Sequence, residues 1–221
     1  AHVAARLEVP FLANCRKIQI ESDSSAATRI QWGGSLLEDV TSSAEVQIFS
    51  VEHHSTDPEA QSSSGGGNIV EFEPDLDSSL TRTIVVDRVV RTHGITLTTA
   101  PVVVGGGRGV GSAEGFAPLE ELAEEIGGVV GCSRAVTNNG WRPHSDQVGQ
   151  TGNRIAPEIY IASGISGAIQ HWVGAMAAKN ILAINTDPEA NMVTKAGYAV
   201  LGDLHEVIPA ITAEIRSRRN A

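Results

Sequence analysis

Basic runs are missing from this sequence. Sixteen lysines and arginines stand against 26 aspartates and glutamates, a net charge of −10, and only Lys17, Lys179 and Lys195 are lysines. A chain with that balance is a poor binder of nucleic acid or of an anionic membrane surface. The shortage of lysine fits the compositional bias of a GC-rich or salt-adapted source and carries no mechanism. Cysteine is scarce as well. Cys15 and Cys132 stand far apart with no C-x-x-C pair, which argues against a disulfide framework and against a zinc site. Cys132 closes an apolar run, so a buried, reduced thiol is expected there. No apolar stretch approaches the ~18–20 residues that span a bilayer, and direct membrane insertion is not expected. No targeting peptide is legible, and Ala1-His2-Val3 reads as the inside of a structural element.

Reactive constellations are absent too. No Ser-His-Asp set, metal cluster or carboxylate pair stands out, and His2, His53, His54, His93, His144 and His205 share no ligand spacing. Glu120, Glu121, Glu124 and Glu125 read as the solvated face of a helix, and Trp141 and Trp172 as packing residues. The chain is built to hold something rather than to break a bond by itself. An anionic, redox-active nucleotide fits, with the chemistry supplied by the cofactor.

What is present is glycine, in the right places. Asp146 to His171 packs a Gly-rich loop, a short apolar strand and a second glycine turn, Gly164-Ile165-Ser166-Gly167, into one stretch. Small residues allow close backbone approach to a ligand, and a helix start after glycine offers free N–H groups to an anion. The stretch reads as a cradle for a nucleotide cofactor.

Along the chain, residues 3–12 read as the end of a helix and a turn at Pro10. Short strand-like runs follow at Arg16–Glu21, Arg29–Trp32, Glu45–Glu52, Ile69–Glu73 and Thr83–Val90, separated by Ser/Asp/Gly clusters. The segment from about 55 to 68, with QSSSGGGN, is flexible by composition. Residues 1–97 thus form a β-rich remnant of a first α/β domain, and 98–221 a second domain. There the strands Val102–Val104, Val129–Cys132, Ile159–Ala162, Ile181–Ile184 and Tyr198–Leu201 alternate with helices. Those helices run from Ser112 to Gly127, from about Ser166 to Ala177, and from about Leu204 to Arg218 with Arg216, Arg218 and Arg219 at its cation-favouring end. This alternation predicts a parallel, Rossmann-like doubly wound sheet whose ligand lies past the strand ends. The residues just past them are Arg108, Ser133, Arg134, Asn185 and Asp203, all able to reach a phosphate, a ribose or a ring edge.

GGGRGVGS lacks both the G-x-G-x-x-G spacing and the G-K-[ST] ending of standard phosphate loops. It is a structural turn or an anion loop, and Arg108 favours the second because a guanidinium can fork onto phosphate. Gln147–Gly152 offers amides and a hydroxyl, suited to hydrogen bonding a heterocycle or simply to a polar surface loop. Ser133-Arg134 can be a capped turn, and His171 a packing residue.

Taken together, GGGRGVGSAEGF, GCSRAV, DQVGQTG, APEIYIASGISGAIQH, AINTDPEA and GDLHEVIP resemble the C-terminal half of the electron-transfer flavoprotein alpha subunit, in order from about Val102 to Arg216. The family usually has Ser-Gly-Gly-Arg-Gly where this chain has Gly105 to Gly109, and its alpha subunit is longer at the N-terminus, so the chain resembles a truncated subunit. The resemblance implies an FAD-binding domain of the deoxyhypusine-synthase-like Rossmann type, with FAD in a cleft shared with a beta subunit. It implies that Arg108, Ser133 and Arg134 contact the cofactor. Gln147, Val148, Gly149, Gln150 and Thr151 would line the flavin, with Thr151 near N5. Ser166, Gly167, Ala168, Ile169, Gln170 and His171 would follow pyrophosphate and flavin, with His171 near the C2 carbonyl. Asn185, Asp203 and Leu204 would hold the adenosine end. Arg134, Thr151 and His171 would tune the redox potential, since a cation near N1 and O2 favours negative charge there, and His171 beside that charge would have a raised pKa.

The implied role is an electron carrier without a substrate of its own. It would pass electrons from flavin dehydrogenases, such as acyl-CoA dehydrogenases of fatty acid beta-oxidation, to a quinone oxidoreductase. It would work in the cytoplasm of a bacterium or archaeon, or in the mitochondrial matrix of a eukaryote. Two other readings stay open: a subunit of an electron-bifurcating complex oxidising NADH, and a non-redox NADP or nucleotide-binding module of the same fold.

Overall fold

The computed structural model describes residues 1–34, 36–56, 68–75, 77 and 94–219. Ala1–Thr56 and Ile95–Ala221 form one compact unit and Asp57–Gly94 another. In the second, the described residues carry neither helix nor strand. The expected strand Ile69–Glu73 is therefore not formed. Ile69, Val70 and Phe72 are exposed, so nothing rewards them for pairing. The expected strand Thr83–Val90 and most of the flexible loop lie outside the described residues.

The first unit opens with α1 (His2–Leu7) and a small sheet of β1 (Phe11–Ile20), β2 (Ser25–Gln31), β3 (Leu36–Ser42) and β4 (Ile48–Val51). Strand order is β3-β2-β1-β4, antiparallel except for β1 beside β4. Its core is slight: Leu12, Cys15 and Ala27, with Ile18, Val40 and Phe49 around them. Sequence periodicity did not reveal β3, whose LLEDVTS run buries no side chain deeply. It is held from the side by ladder bonds, by the Arg29–Glu38 ion pair at 2.8 Å and by Thr28 donating to Asp39 at 2.6 Å. Such cross-strand pairs stabilise an edge that lacks a buried face.

The larger sheet comprises β5 (Val102–Gly106), β6 (Val129–Cys132), β7 (Ile159–Ser163), β8 (Asn180–Asn185) and β9 (Tyr198–Leu201). All pairings are parallel, in the order β6-β5-β7-β8-β9. Alternate side chains feed two cores. Val103, Tyr160, Ala162, Ile181 and Ala183 pack with Val148, Ile155, Ala175 and Met192 on one face. Val104, Ile161 and Ile184 pack with Phe116, Leu119, Leu122 and Ile208 on the other. Burial on both faces is why β5 to β8 read as apolar runs, whereas β9 at the sheet edge is exposed along its length. α2 (Ala117–Glu125) and α6 (Leu204–Arg219) cover the second core, joined by Arg216 to Glu121 and Glu125 and by Arg219 to Glu125. The glutamate face of α2 is thus partly an ion-pair seam, not simply solvated. Trp141 and Trp172 pack against the cores as expected. Among the described residues no helix is long and apolar enough to cross a membrane.

Two helix boundaries differ from expectation. After Ser112, whose hydroxyl accepts from Gly115 N–H at 3.2 Å, a tight turn over Glu114–Phe116 precedes α2. α4 (Ile169–Ala175) begins three residues later than Ser166, because Gly167 sits at φ +75, a left-handed conformation no helix interior holds. α3 (Arg134–Asn138) and α5 (Asn191–Lys195) are single-turn helices, too short for periodicity to expose.

Candidate functional site

From β5 the chain turns to β6 on one side, then crosses back to β7 on the other. The order therefore reverses between β5 and β7, and a ligand crevice is expected past their carboxyl ends. There the two loops meet backbone to backbone. Gly107 N–H donates to Ser163 O at 2.8 Å and Gly109 N–H to Gly164 O at 3.1 Å. A Cβ on Gly107 would collide with the Gly164 carbonyl, and one on Gly164, itself at φ +62, would lie 2.9 Å from Gly109 Cα. Only glycine permits this contact, and it seats Arg108 at the mouth of a cleft of about 430 Å³.

The cleft is lined by Arg108, Ser133, Ser166, Asn185, Asp203 and Leu204 over a floor that includes Gly109, Gly164 and Gly202. Five strand ends thus converge, as the sequence foretold. Ser133 stands at the N-terminal boundary of α3 without a side-chain cap bond, its N–H bound to Gly106 O at 3.0 Å. Asn185 steadies two turns: its amide donates to Ile165 O at 3.1 Å and accepts from Asp187 N–H at 3.1 Å. Asp203 caps α6 by accepting from His205 N–H at 2.9 Å. Its second carboxylate oxygen has no partner among the described residues. The donor set suits a phosphorylated nucleoside. Arg108 is exposed and makes no ion pair among the described residues of an acidic chain, glycine backbone stands close by, and amide and carboxylate groups suit ribose or a base. Arg134, also exposed and unpaired among the described residues, opens α3 but does not line the cleft.

The remaining candidates form a second cluster. The loop Gln147–Thr151 packs onto the start of α4: Gln150 N–H donates to Gln170 O at 2.7 Å, and Gly149 is pressed so closely to that carbonyl that a Cβ would sit 2.9 Å from it. Gln150, Thr151, Ala168, Ile169 and Gln170 are exposed, while Gln147, Val148, Gly149, Gly167 and His171 are buried. The exposed set offers polar and apolar groups side by side, as a planar heterocycle needs. Val148 belongs to the core. Gln147 is 1% exposed and its amide is committed internally, accepting from Thr137 Oγ1 at 2.8 Å and donating to Thr151 Oγ1 at 2.9 Å.

His171 is 6% exposed. Its Nε2 shares a hydrogen bond with the Tyr160 hydroxyl at 2.9 Å, and Nδ1 has no partner of good geometry. Burial pushes its pKa down to about 4, against a weaker upward pull from the Val148 backbone. That is the reverse of the raised value expected beside an anion. In the chain alone the ring is neutral at pH 7, and a neighbouring anion has to act against its burial. Burial likewise raises the Tyr160 phenol, and it lifts the Cys132 thiol to about 12.

Tyr160, Ser163 and Thr137 were not singled out in the sequence. A tyrosine inside a buried strand needs a partner for its hydroxyl, a signal that marks Tyr160 without naming the partner. Ser163, at the end of β7, is buried with an unpartnered hydroxyl. Thr137 gave no signal, since only folding brings it to Gln147.

Residues 96–176 match the family model of the electron transfer flavoprotein FAD-binding domain, and residues 1–77 that of the electron transfer flavoprotein domain. The chain is 38% identical over 217 residues to the electron transfer flavoprotein subunit alpha of Bacillus subtilis, covering 97% of this chain and 66% of that protein. With the same subunit of Paracoccus denitrificans the identity is 40% over 213 residues, covering 96% and 67%. With that of Mycobacterium leprae it is 39% over 189 residues, covering 85% and 59%. The chain thus spans 59% to 67% of the length of these three relatives. With both family models matched and 40% identity to a relative of which it covers 67%, the chain belongs to the electron transfer flavoprotein alpha subunit family.

Proposed function

We propose that this chain is the FAD-holding part of an electron carrier, with residues 98–221 as the FAD-binding domain and 1–97 as the end of the preceding one. The observation that carries this reading is that one short segment, Ser166 to Gln170, runs from a polar cleft to an exposed polar loop. Arg108, Ser133, Ser166, Asn185, Asp203 and Leu204 surround a cleft, and Gln150, Thr151 and Gln170 stand exposed where the loop meets α4. FAD supplies the electron-accepting ring; the protein supplies its grip and its electrostatics. Arg108 and Ser133 bind the pyrophosphate, Ser166 and Gly167 follow it, and Asp203, Leu204 and Asn185 hold the adenosine. Thr151 donates or accepts at the ring edge. Arg134 and His171 adjust the charge near it. Val148 and Gly149 shape the loop from below, while Ala168 and Ile169 offer apolar contact.

The ring patch is exposed in this chain, which suits closure by a beta subunit. Electrons would come from flavin dehydrogenases and leave to a quinone oxidoreductase, in the cytoplasm or the mitochondrial matrix according to the source. Co-expression with the neighbouring beta-subunit gene tests the reading. A yellow heterodimer with one FAD, reducible by a flavin dehydrogenase, is expected. A colourless product, or one that binds NADP(H) instead, overturns it.

A further inference from the structure

Gln147 holds an uncommon position. Its backbone closes the loop: the N–H donates to His144 O at 3.1 Å, and the carbonyl accepts from Asn153 N–H at 2.7 Å and Nδ2 at 3.1 Å. Its side chain runs between two threonine hydroxyls, Thr137 inside and Thr151 outside. Thr137 also lies 3.0 Å from Arg134 O. A hydroxyl has one hydrogen, so Thr137 donates either to Gln147 or to Arg134 at any moment.

The amide therefore has two satisfied orientations. In one, Thr137 donates to Gln147 Oε1, Nε2 donates to Thr151, and the Thr151 hydrogen is free to point outward. In the other, the amide is turned end for end. Nε2 then donates to Thr137, which donates to Arg134 O, and Thr151 donates inward to Oε1. Thr151 then offers only lone pairs to the outside. Each state gives the amide one accepted and one donated bond, and the two differ by the Thr137–Arg134 bond, so about the free energy of one hydrogen bond separates them.

We propose that Gln147 is a positioning residue: by turning its amide between Thr137 and Thr151, it lets the exposed Thr151 hydroxyl act as donor in one redox state of the bound ring and as acceptor in the other. The proposal rests on the reading that FAD occupies this loop. The matching chemistry is a ring nitrogen that has a lone pair when oxidised and an N–H when reduced. A fixed donor would favour only the oxidised ring, and a fixed acceptor only the reduced one. A hydrogen bond contributes up to about a factor of ten to an equilibrium, so fixing the relay shifts the two-electron midpoint potential by up to about 30 mV.

The test is a mutant cycle in the FAD-loaded heterodimer, read by spectroelectrochemical titration with FAD content measured alongside. Thr137→Val removes the inner end of the relay, and Thr137→Ser keeps it. Thr137→Val should shift the midpoint potential measurably, Thr137→Ser should restore it, and the shift should vanish in a Thr151→Val background. If Thr137→Val does not fold, Gln147→Met, which fills the same space without polar atoms, takes its place and should show the same dependence on Thr151. An unmoved potential with full FAD content overturns the relay alone, as does a shift that persists without the Thr151 hydroxyl. A wild-type heterodimer without FAD overturns the functional reading and the relay with it.

Discussion

Lowering the pH should unfold this protein through His171. The free imidazole takes a proton near pH 6.5, while the buried ring in the folded chain resists until about 4. Between those values the unfolded state binds the extra proton. Stability from this residue is therefore fully present above about pH 6.5, drains as the pH falls, and is lost by about pH 4. At about 1.4 kcal/mol per pKa unit, the whole effect is ~3 kcal/mol, of which ~2.5 kcal/mol falls between pH 7.5 and 4.5. The ring is almost fully buried, so solvent screening removes little of it. Set against a typical domain stability of about 5–15 kcal/mol, one side chain would govern much of the acid sensitivity.

The assay is urea unfolding across that pH range for the wild type and for His171→Gln, which keeps a hydrogen-bonding partner for Tyr160 but cannot titrate. The other histidines and the carboxylates are common to both proteins and cancel in the difference. The stability gap should narrow by about 2.5 kcal/mol from pH 7.5 to 4.5, since only the wild type loses the His171 contribution. A gap that stays constant across the range would refute the argument. It would mean that the ring is hydrated or already charged in the folded protein.

Further outcomes are expected elsewhere. Gly107→Ala should destabilise by roughly 1–3 kcal/mol or prevent folding, because its Cβ meets the Gly164–Ile165 backbone, which cannot step aside; thermal unfolding reads this. Tyr160→Phe should cost about 1–3 kcal/mol by leaving His171 Nε2 buried without its partner, measurable by the same denaturation. Arg108→Ala should weaken FAD binding by roughly 10–100-fold with little change in stability, as one charge-assisted contact is lost; equilibrium fluorescence titration checks it. Cys15 and Cys132, both buried with raised pKa, should resist a thiol reagent at pH 8 until the chain is unfolded.

Most of the larger sheet was legible because β5 to β8 feed cores on both faces and are punctuated by glycine, as at Gly127-Gly128 and Gly164. β9 is exposed along its length and was legible only from its apolar run before Gly202. The cleft was legible for a related reason. In a parallel sheet the residue after each strand is forced to the ligand side, so Arg108, Ser133, Asn185 and Asp203 could be named without coordinates. β3 escaped because ladder bonds and ion pairs hold it, and those have no periodicity. The start of α4 was misplaced because helix propensity at Ser166 says nothing of a left-handed Gly167. The protonation of His171 could not be read from the sequence. Its sign depends on burial against Tyr160, eleven residues away, and a motif carries no record of desolvation.

The two clusters differ in what holds them, and this bears on how a carrier can be tuned. The cleft is built on backbone: glycine contacts, a helix cap and strand ends fix the main chain at Arg108 and the carboxylate of Asp203, so on the proposed reading affinity for the nucleotide end would be set by topology. The ring patch is governed by side chains whose hydrogen bonds can reverse or titrate. Thr151 answers to Gln147 and Thr137, and His171 answers to Tyr160. A substitution behind the ring patch can therefore shift a potential by the free energy of one hydrogen bond while leaving the cofactor bound. One in the cleft changes occupancy first. Variants of Thr137, Gln147 and Tyr160 should accordingly retain FAD and differ in potential, whereas variants of Arg108 and Gly107 should differ in FAD content; the opposite sorting would show that the grip and the tuning are not separable in this fold.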